Sequence, residues 1–140
     1  MRQILTRGTF LALAGSAALL LVTGRVVAQQ KPMTVKQIMT SLTIPSSDAI
    51  FAAAYETPTS DEQWAAVRKS ATALGESGKL LMNADHAGSD EAWARMARAL
   101  VDQAAAAFEA AEAKDAEAMM QAGDDVYLTC ENCHAQFMNR

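Results

Sequence analysis

The stretch DAEAMMQAGDDVYLTCENCHAQF, residues 115–137, contains the pattern that decides the fold class of this chain. It has no proline, and its apolar residues recur at intervals of three and four, the spacing of a helix that buries one face. We therefore expect a helix that begins near Asp115 and runs close to the C-terminus. Its buried side should carry Met119, Val126, Cys130, Cys133 and Phe137.

This predicted helix contains the sequence Cys130-Glu131-Asn132-Cys133-His134, a C-x-x-C-H motif of the kind to which haem c is attached. At 3.6 residues per turn, Cys133 and His134 lie about 60° and about 40° to either side of Cys130, so all three share one face. Both thiols can then meet a haem vinyl group while the imidazole points at the iron. The motif predicts one covalently bound haem c with His134 as an axial iron ligand.

Three other uses of the two cysteines stay open at this point. A disulfide between Cys130 and Cys133 would close a very short loop on a helix, where disulfide geometry is strained. A structural zinc site needs four nitrogen or sulfur ligands, and beyond the motif the chain offers only His86. A thioredoxin-like redox site usually places its cysteines at a helix start in a βαβ unit, whereas this chain shows no strand pattern.

Upstream, the low content of glycine and proline favours further helices. The first should begin near Thr34, with its apolar stripe interrupted by Pro45 and resumed at Ile50 and Phe51. A proline inside a helix removes a hydrogen bond and crowds the preceding turn, so we expect a kink or short break near Ile44. The stripe before the interruption consists of Val35, Ile38, Met39 and Leu42.

Two more helices are predicted between residues 60 and 113. The second has Ser60 as N-cap and Gln63 at the capping-box position, and should end near Met82. The third starts after Ser89 with two acids in its first turn. Their expected buried stripes are Trp64, Val67, Ala71, Leu74, Gly78 and Leu81, then Trp93, Ala97, Leu100, Ala104, Phe108 and Ala111. Short connections between successive helices predict an all-α, antiparallel up-down-up-down four-helix bundle.

The first 28 residues have the layout of a secretory signal peptide. Basic Arg2 and Arg7 precede an apolar run from residue 10 to residue 22, and Val26-Val27-Ala28 provides a small-residue cleavage site. The run is shorter than the roughly 20 apolar residues of a membrane-spanning helix. We expect residues 1–28 to be cleaved and residues 29–140 to form a periplasmic bundle domain without stable membrane insertion.

The predicted mature chain is acidic. Loss of three arginines with the signal leaves nine basic residues against 16 acidic ones, a formal net charge of −7. Such a surface argues against binding of nucleic acid, whose phosphates attract basic proteins. It suits a basic redox partner, and it equally suits plain solubility.

Over the predicted mature chain, these features resemble the class II c-type cytochromes, the cytochrome c′ and cytochrome c-556-like family. Members carry C-x-x-C-H near the C-terminus of the last helix of a four-helix bundle. Weaker points of similarity are Phe137, three residues after His134, the third-helix sequence Glu91-Ala92-Trp93, and the first-helix stretch 35–39. One departure is Met138, where the family often has Arg or Lys near a haem propionate; Arg140 is a substitute.

The resemblance implies an electron carrier with one haem and redox partner proteins, not an enzyme, and relatives often form homodimers. Met39 is the candidate for the sixth iron ligand, with Met33, Met82, water or an open position as alternatives. An open position would instead imply a protein that binds NO or CO. Phe51, Trp93 and Phe137 are candidates for contact with the porphyrin, and His86 is expected to be a loop residue.

Overall fold

The computed structural model describes residues 31–83 and 90–138, and its regular elements within these ranges are all helical. Helix α1 comprises α-helical Val35–Ile38, π-helical Met39–Thr43 and α-helical Ile44–Tyr55. Helix α2 is Asp61–Leu81, α3 is Glu91–Ala113 and α4 is Ala116–Phe137. Helix α1 packs against α2 and α4, and α3 packs against the same two helices. The predicted signal peptide, His86 and Arg140 lie outside the described residues.

No helix in the described ranges is long and apolar enough to cross a lipid bilayer.

The starts of α2, α3 and α4 are fixed by local hydrogen bonds. The Ser60 hydroxyl accepts a hydrogen bond from the Gln63 backbone N–H, and the Gln63 side chain accepts one from the Ser60 N–H, both at 3.2 Å. Carboxylates of Asp90 and Asp115 each accept from two backbone N–H groups of the following turn. Such a cap stabilises a helix by about 1 kcal/mol. The predicted starts of α2 and α4 are confirmed, whereas α3 starts one residue later than predicted, with Asp90 as its N-cap and only Glu91 in its first turn.

The stripe predicted for α2 is buried along its whole length. Gly78 lies where α3 comes closest, because a Cβ atom there would stand 2.7 Å from Val101 Cγ2 and 3.2 Å from the Ala97 carbonyl oxygen. The stripe predicted for α3 is wrong at Phe108, which is 38% exposed, while neighbouring Ala107 is fully buried. Phe108 lines a surface groove between α2 and α3 beside Thr72 and Gly75, so its large ring lies at the edge of the helix contact while the small Ala107 is buried inside.

Of the kink or short break predicted near Ile44, the break is absent, because helix α1 continues through Pro45. Instead, the turn before the proline widens into the π-helical segment, and the Ile44 N–H donates to the Met39 carbonyl oxygen, five residues back. The hydroxyls of Thr40 and Ser41 donate to backbone carbonyls one turn earlier, at 2.9 and 2.6 Å. A proline cannot donate its own hydrogen bond, and a π-helical turn is one way for a helix to accommodate it.

Candidate functional site

A cavity of about 260 Å³ lies beside the C-x-x-C-H motif, and all four helices contribute to its walls. Most of its surface is apolar. From α1 and α2 it is lined by Met39, Thr43, Ile44, Ser47, Asp48, Phe51 and Leu81; from α3 and α4 by Trp93, Met96, Ala97, Leu100, Tyr127, Thr129, Cys130, Cys133 and His134. The cavity therefore brings the motif to residues far from it in sequence.

The three motif side chains all line this cavity, as their spacing predicts. Cys130 and Cys133 are partly buried and are both free thiols, whereas His134 is exposed. They lie in the last two turns of α4, which ends at Phe137. An apolar ligand in the cavity would thus meet two thiols and one imidazole on the same helix face.

The environment of the thiols disfavours their ionisation. Burial raises the pKa of Cys130, and the neighbouring Cys133 raises it further. Burial also raises the pKa of Cys133. Nucleophilic cysteines of redox enzymes have lowered pKa values, since the thiolate is the reactive form. Both cysteines also lie near the C-terminal end of α4, and the negative end of the helix dipole there disfavours a thiolate as well. The surroundings of these thiols therefore do not favour the thiolate that thiol–disulfide exchange requires.

Within residues 31–83 and 90–138, no group of three or more His, Cys, Asp or Glu side chains could hold a metal ion. The donors that line the cavity have a different character: the imidazole of His134 on α4, and the thioethers of Met39 on α1 and Met96 on α3. Haem iron takes its equatorial ligands from the macrocycle and needs only axial ligands from the protein, for which histidine and methionine serve. The donor set therefore fits haem.

Met39 lies in the π-helical segment, is partly buried and lines the cavity. The alternative ligands predicted from sequence are Met33 and Met82. Both are partly buried and pack against the core, but neither lines the cavity. Met96 does line the cavity, and it was not predicted from the sequence as a residue of the site. Its position three residues after Trp93, on the same face of α3, is the signal that could have identified it.

The predicted aromatic residues lie in two pairs. Trp93 lines the cavity, donates its indole N–H to the Leu81 carbonyl oxygen at 2.7 Å, and meets Phe137 edge-on with ring centroids 5.1 Å apart. Phe51 lines the cavity and meets Tyr127 edge-on at 6.5 Å. Phe137 does not line the cavity, so the structure places it behind Trp93 instead. Tyr127 was missed, although it stands three residues before Cys130.

The polar part of the cavity wall comes from α4, through Thr129 and His134, and from α1. The hydroxyls of Thr43 and Ser47 donate to the carbonyl oxygens of Ile38 and Ile44, so their hydrogens are held by the helix backbone. Asp48, also missed from sequence, is exposed and is the one carboxylate among the described lining residues. No Lys or Arg occurs among these lining residues. Met138 does not line the cavity but borders an adjoining groove, which shares Tyr127, Cys130 and His134 with it.

Comparison with known proteins identifies no relative: no protein-family model, curated protein or solved structure matches this chain.

The raised thiol pKa values predict how the haem-free protein responds to alkali. Thiols of the unfolded chain ionise near the ordinary value of 9.0, and those of the folded chain ionise only at higher pH. In the haem-free protein that folds, the contribution of the neutral thiols to stability should therefore be fully present at neutral pH and be lost as the pH rises from the unfolded toward the folded pKa. Urea unfolding at neutral pH and at about pH 10 measures this. The double variant Cys130→Ser, Cys133→Ser is the control and should lose less stability; an equal loss would contradict the burial argument.

Proposed function

We propose that this chain is an exported electron carrier with one haem c, similar to the class II c-type cytochromes. Haem would be attached through Cys130 and Cys133, with His134 as one axial ligand and Met39 as the other. The observation that carries the proposal is that these four residues line the same apolar cavity although Met39 is more than 90 residues from the motif.

We also propose the up-down-up-down, antiparallel arrangement for the bundle. Two short connections support it: residues 56–60 join α1 to α2, and only Lys114 and Asp115 stand between α3 and α4. Lys114 has a φ of 53°, in the left-handed region, which ends α3 sharply. Helices joined by so few residues usually lie antiparallel to each other.

Different residues of the cavity would have different roles in binding the cofactor. Each thiol would add its S–H across one vinyl group, which forms a thioether without any oxidant. Trp93 and Phe51 would provide apolar walls that exclude water, and the Leu81 carbonyl holds the indole of Trp93 in place. When bound, haem supplies one-electron transfer between the ferrous and ferric states of its iron. Histidine and methionine ligation raises the reduction potential and suits electron transfer.

Export to a periplasm is part of the proposal, and its support is the signal-like sequence of residues 1–28. The proposed partners are redox proteins with basic surfaces, which the net charge of −7 of the mature chain would attract. Ile44 and Tyr127 line the cavity and are 49% and 57% exposed, so the cofactor edge would lie near solvent beside them.

Met39→Ala distinguishes an electron carrier from a protein that binds gases. The wild-type holoprotein should show a low-spin absorption spectrum, and Met39→Ala should be high-spin because the iron loses its sixth ligand. Met82→Ala is the matched control, since Met82 is also partly buried but does not line the cavity, and should stay low-spin. A wild-type protein that is already high-spin and changes its spectrum on addition of CO would favour the NO- and CO-binding alternative.

A further inference from the structure

Two pairs of residues in α1 share a face although their spacing does not fit a regular α-helix. Ile38 and Ile50 are 1% and 0% exposed in the core, and Met39 and Phe51 both line the cavity. The members of each pair are 12 residues apart. At about 100° per residue, 12 steps leave the two side chains about 120° apart around the helix axis. In a regular α-helix, the members of each pair would therefore be out of phase with each other.

The π-helical segment Met39–Thr43 resolves this mismatch. Its hydrogen bond spans five residues, from the Ile44 N–H to the Met39 carbonyl oxygen, so the segment takes up one residue more than an α-helical turn. The 12 steps then rotate the chain about as far as 11 regular steps. That rotation leaves the members of each pair only about 20° apart.

Four side chains favour the wider turn. Pro45 lacks the N–H of a regular turn, and its ring would crowd the Ser41 carbonyl in an α-helix. The hydroxyls of Thr40, Ser41 and Thr43 donate to the carbonyl oxygens of Lys36, Gln37 and Ile38. Hydroxyls that bond back to the preceding turn bend and loosen a helix.

We propose that the π-helical segment and Pro45 are positioning elements that present Met39, instead of Thr40, to the cavity. In a regular helix, Thr40 would stand 11 steps from Phe51 and would occupy the cavity-facing position, with a hydroxyl in place of a thioether. The inference rests on the proposed function where it treats Met39 as the iron ligand. The rotational phase of the residues before and after the π-helical segment also determines whether Ile38 and Ile50 are both buried, and this part of the inference does not depend on haem.

The proposal can be tested by deleting the one extra residue of the π-helical segment. This deletion should leave the rotational phase of Met39 relative to Phe51 unchanged. In a variant that combines deletion of Ser41 with Pro45→Ala, α1 can become a regular helix while Met39 keeps its phase with Phe51. We expect a low-spin spectrum as in the wild type and an unfolding midpoint within about 8 °C of it. Deletion of Thr72, an exposed residue in regular α2, is the control. It should abolish cooperative unfolding, because it rotates Trp64 and Val67 out of phase with the rest of the core stripe.

An exchange variant tests which residue faces the iron. Met39→Thr combined with Thr40→Met keeps the composition and should be high-spin, because position 40 is exposed. A low-spin exchange variant would overturn the proposal, and so would a deletion variant of Ser41 that fails to unfold cooperatively. If the wild type carries no haem, the proposed function fails, and the unfolding of the two deletion variants still decides whether the rotational phase is as inferred.

Discussion

Replacement of both Cys130 and Cys133 by alanine should abolish covalent haem attachment and sharply reduce the amount of folded protein. The motif cavity of about 260 Å³ is bounded by residues of all four helices. An unfilled cavity costs roughly 24 cal/mol per Å³, so an empty one of this size would cost up to about 6 kcal/mol. Domains are typically stable by only about 5–15 kcal/mol. Loss of the cofactor should therefore remove a large share of the stability.

Asn132→Ala is the matched control for the double cysteine variant. Asn132 lies between the two cysteines and is exposed, so the motif keeps both thiols and the imidazole in this variant. It should retain haem and unfold like the wild type, as measured by haem absorbance and by circular dichroism on heating. A double cysteine variant that is haem-free, helical and as stable as the control would show that haem is not part of the core.

Gly123→Ala should destabilise the protein by about 1–3 kcal/mol, the usual cost of overpacking a core. Gly123 is buried in α4, and a Cβ atom there would stand 2.6 Å from the Cβ atom of Ala54 in α1. The methyl group of an alanine has no rotamer that could relieve this contact, so the two helices must move apart. The same helices carry the motif and Met39, and we expect the high-spin fraction of the holoprotein to rise as well.

Gly75→Ala provides the control for this contact. Gly75 is also in a helix interior, and a Cβ atom there would be 3.6 Å from the Cβ atom of Ala104, an ordinary van der Waals distance. Without a clash, the better helix propensity of alanine should stabilise the protein by about 0.5–1 kcal/mol. Urea unfolding of the two variants beside the wild type measures both effects. If both substitutions changed stability in the same direction, the close approach of α4 to α1 would be in doubt.

The helices could be predicted from sequence because their signals are local. Ser60 with Gln63, and Asp90 before Glu91, are capping patterns whose hydrogen bonds lie within one turn. The buried stripe of α2 follows from spacing alone, since one face of a helix recurs every three or four residues. Phe108 shows the limit of this argument: a residue at the edge of a stripe is buried only if the neighbouring helix leaves room for it.

The course of α1 could not be predicted because it depends on tertiary contacts. Pro45 predicts an irregular turn, but a break and a π-helical turn both accommodate a proline. In the structure, Ile38 and Ile50, which lie on either side of the irregularity, are both buried in the core. Sequence spacing before and after Pro45 does not reveal how many residues the intervening turn contains.

The candidate site was predicted in part. Spacing places Cys130, Cys133 and His134 on one face, and the structure adds that Met39, Phe51 and Trp93 line the same cavity. The roles of these residues toward haem stay predictions. Met96, Tyr127 and Asp48 were missed because the faces that four helices turn toward a common cavity depend on how those helices pack.

The most direct test of the account is the intact mass of the protein, exported and matured in a host with a c-type maturation system. We expect a polypeptide that begins near Gln29 and carries the added mass of one haem, retained after denaturation because the proposed bonds to Cys130 and Cys133 are covalent. A mature chain of unmodified mass, with both cysteines recovered as thiols or as a disulfide, would contradict the central claim.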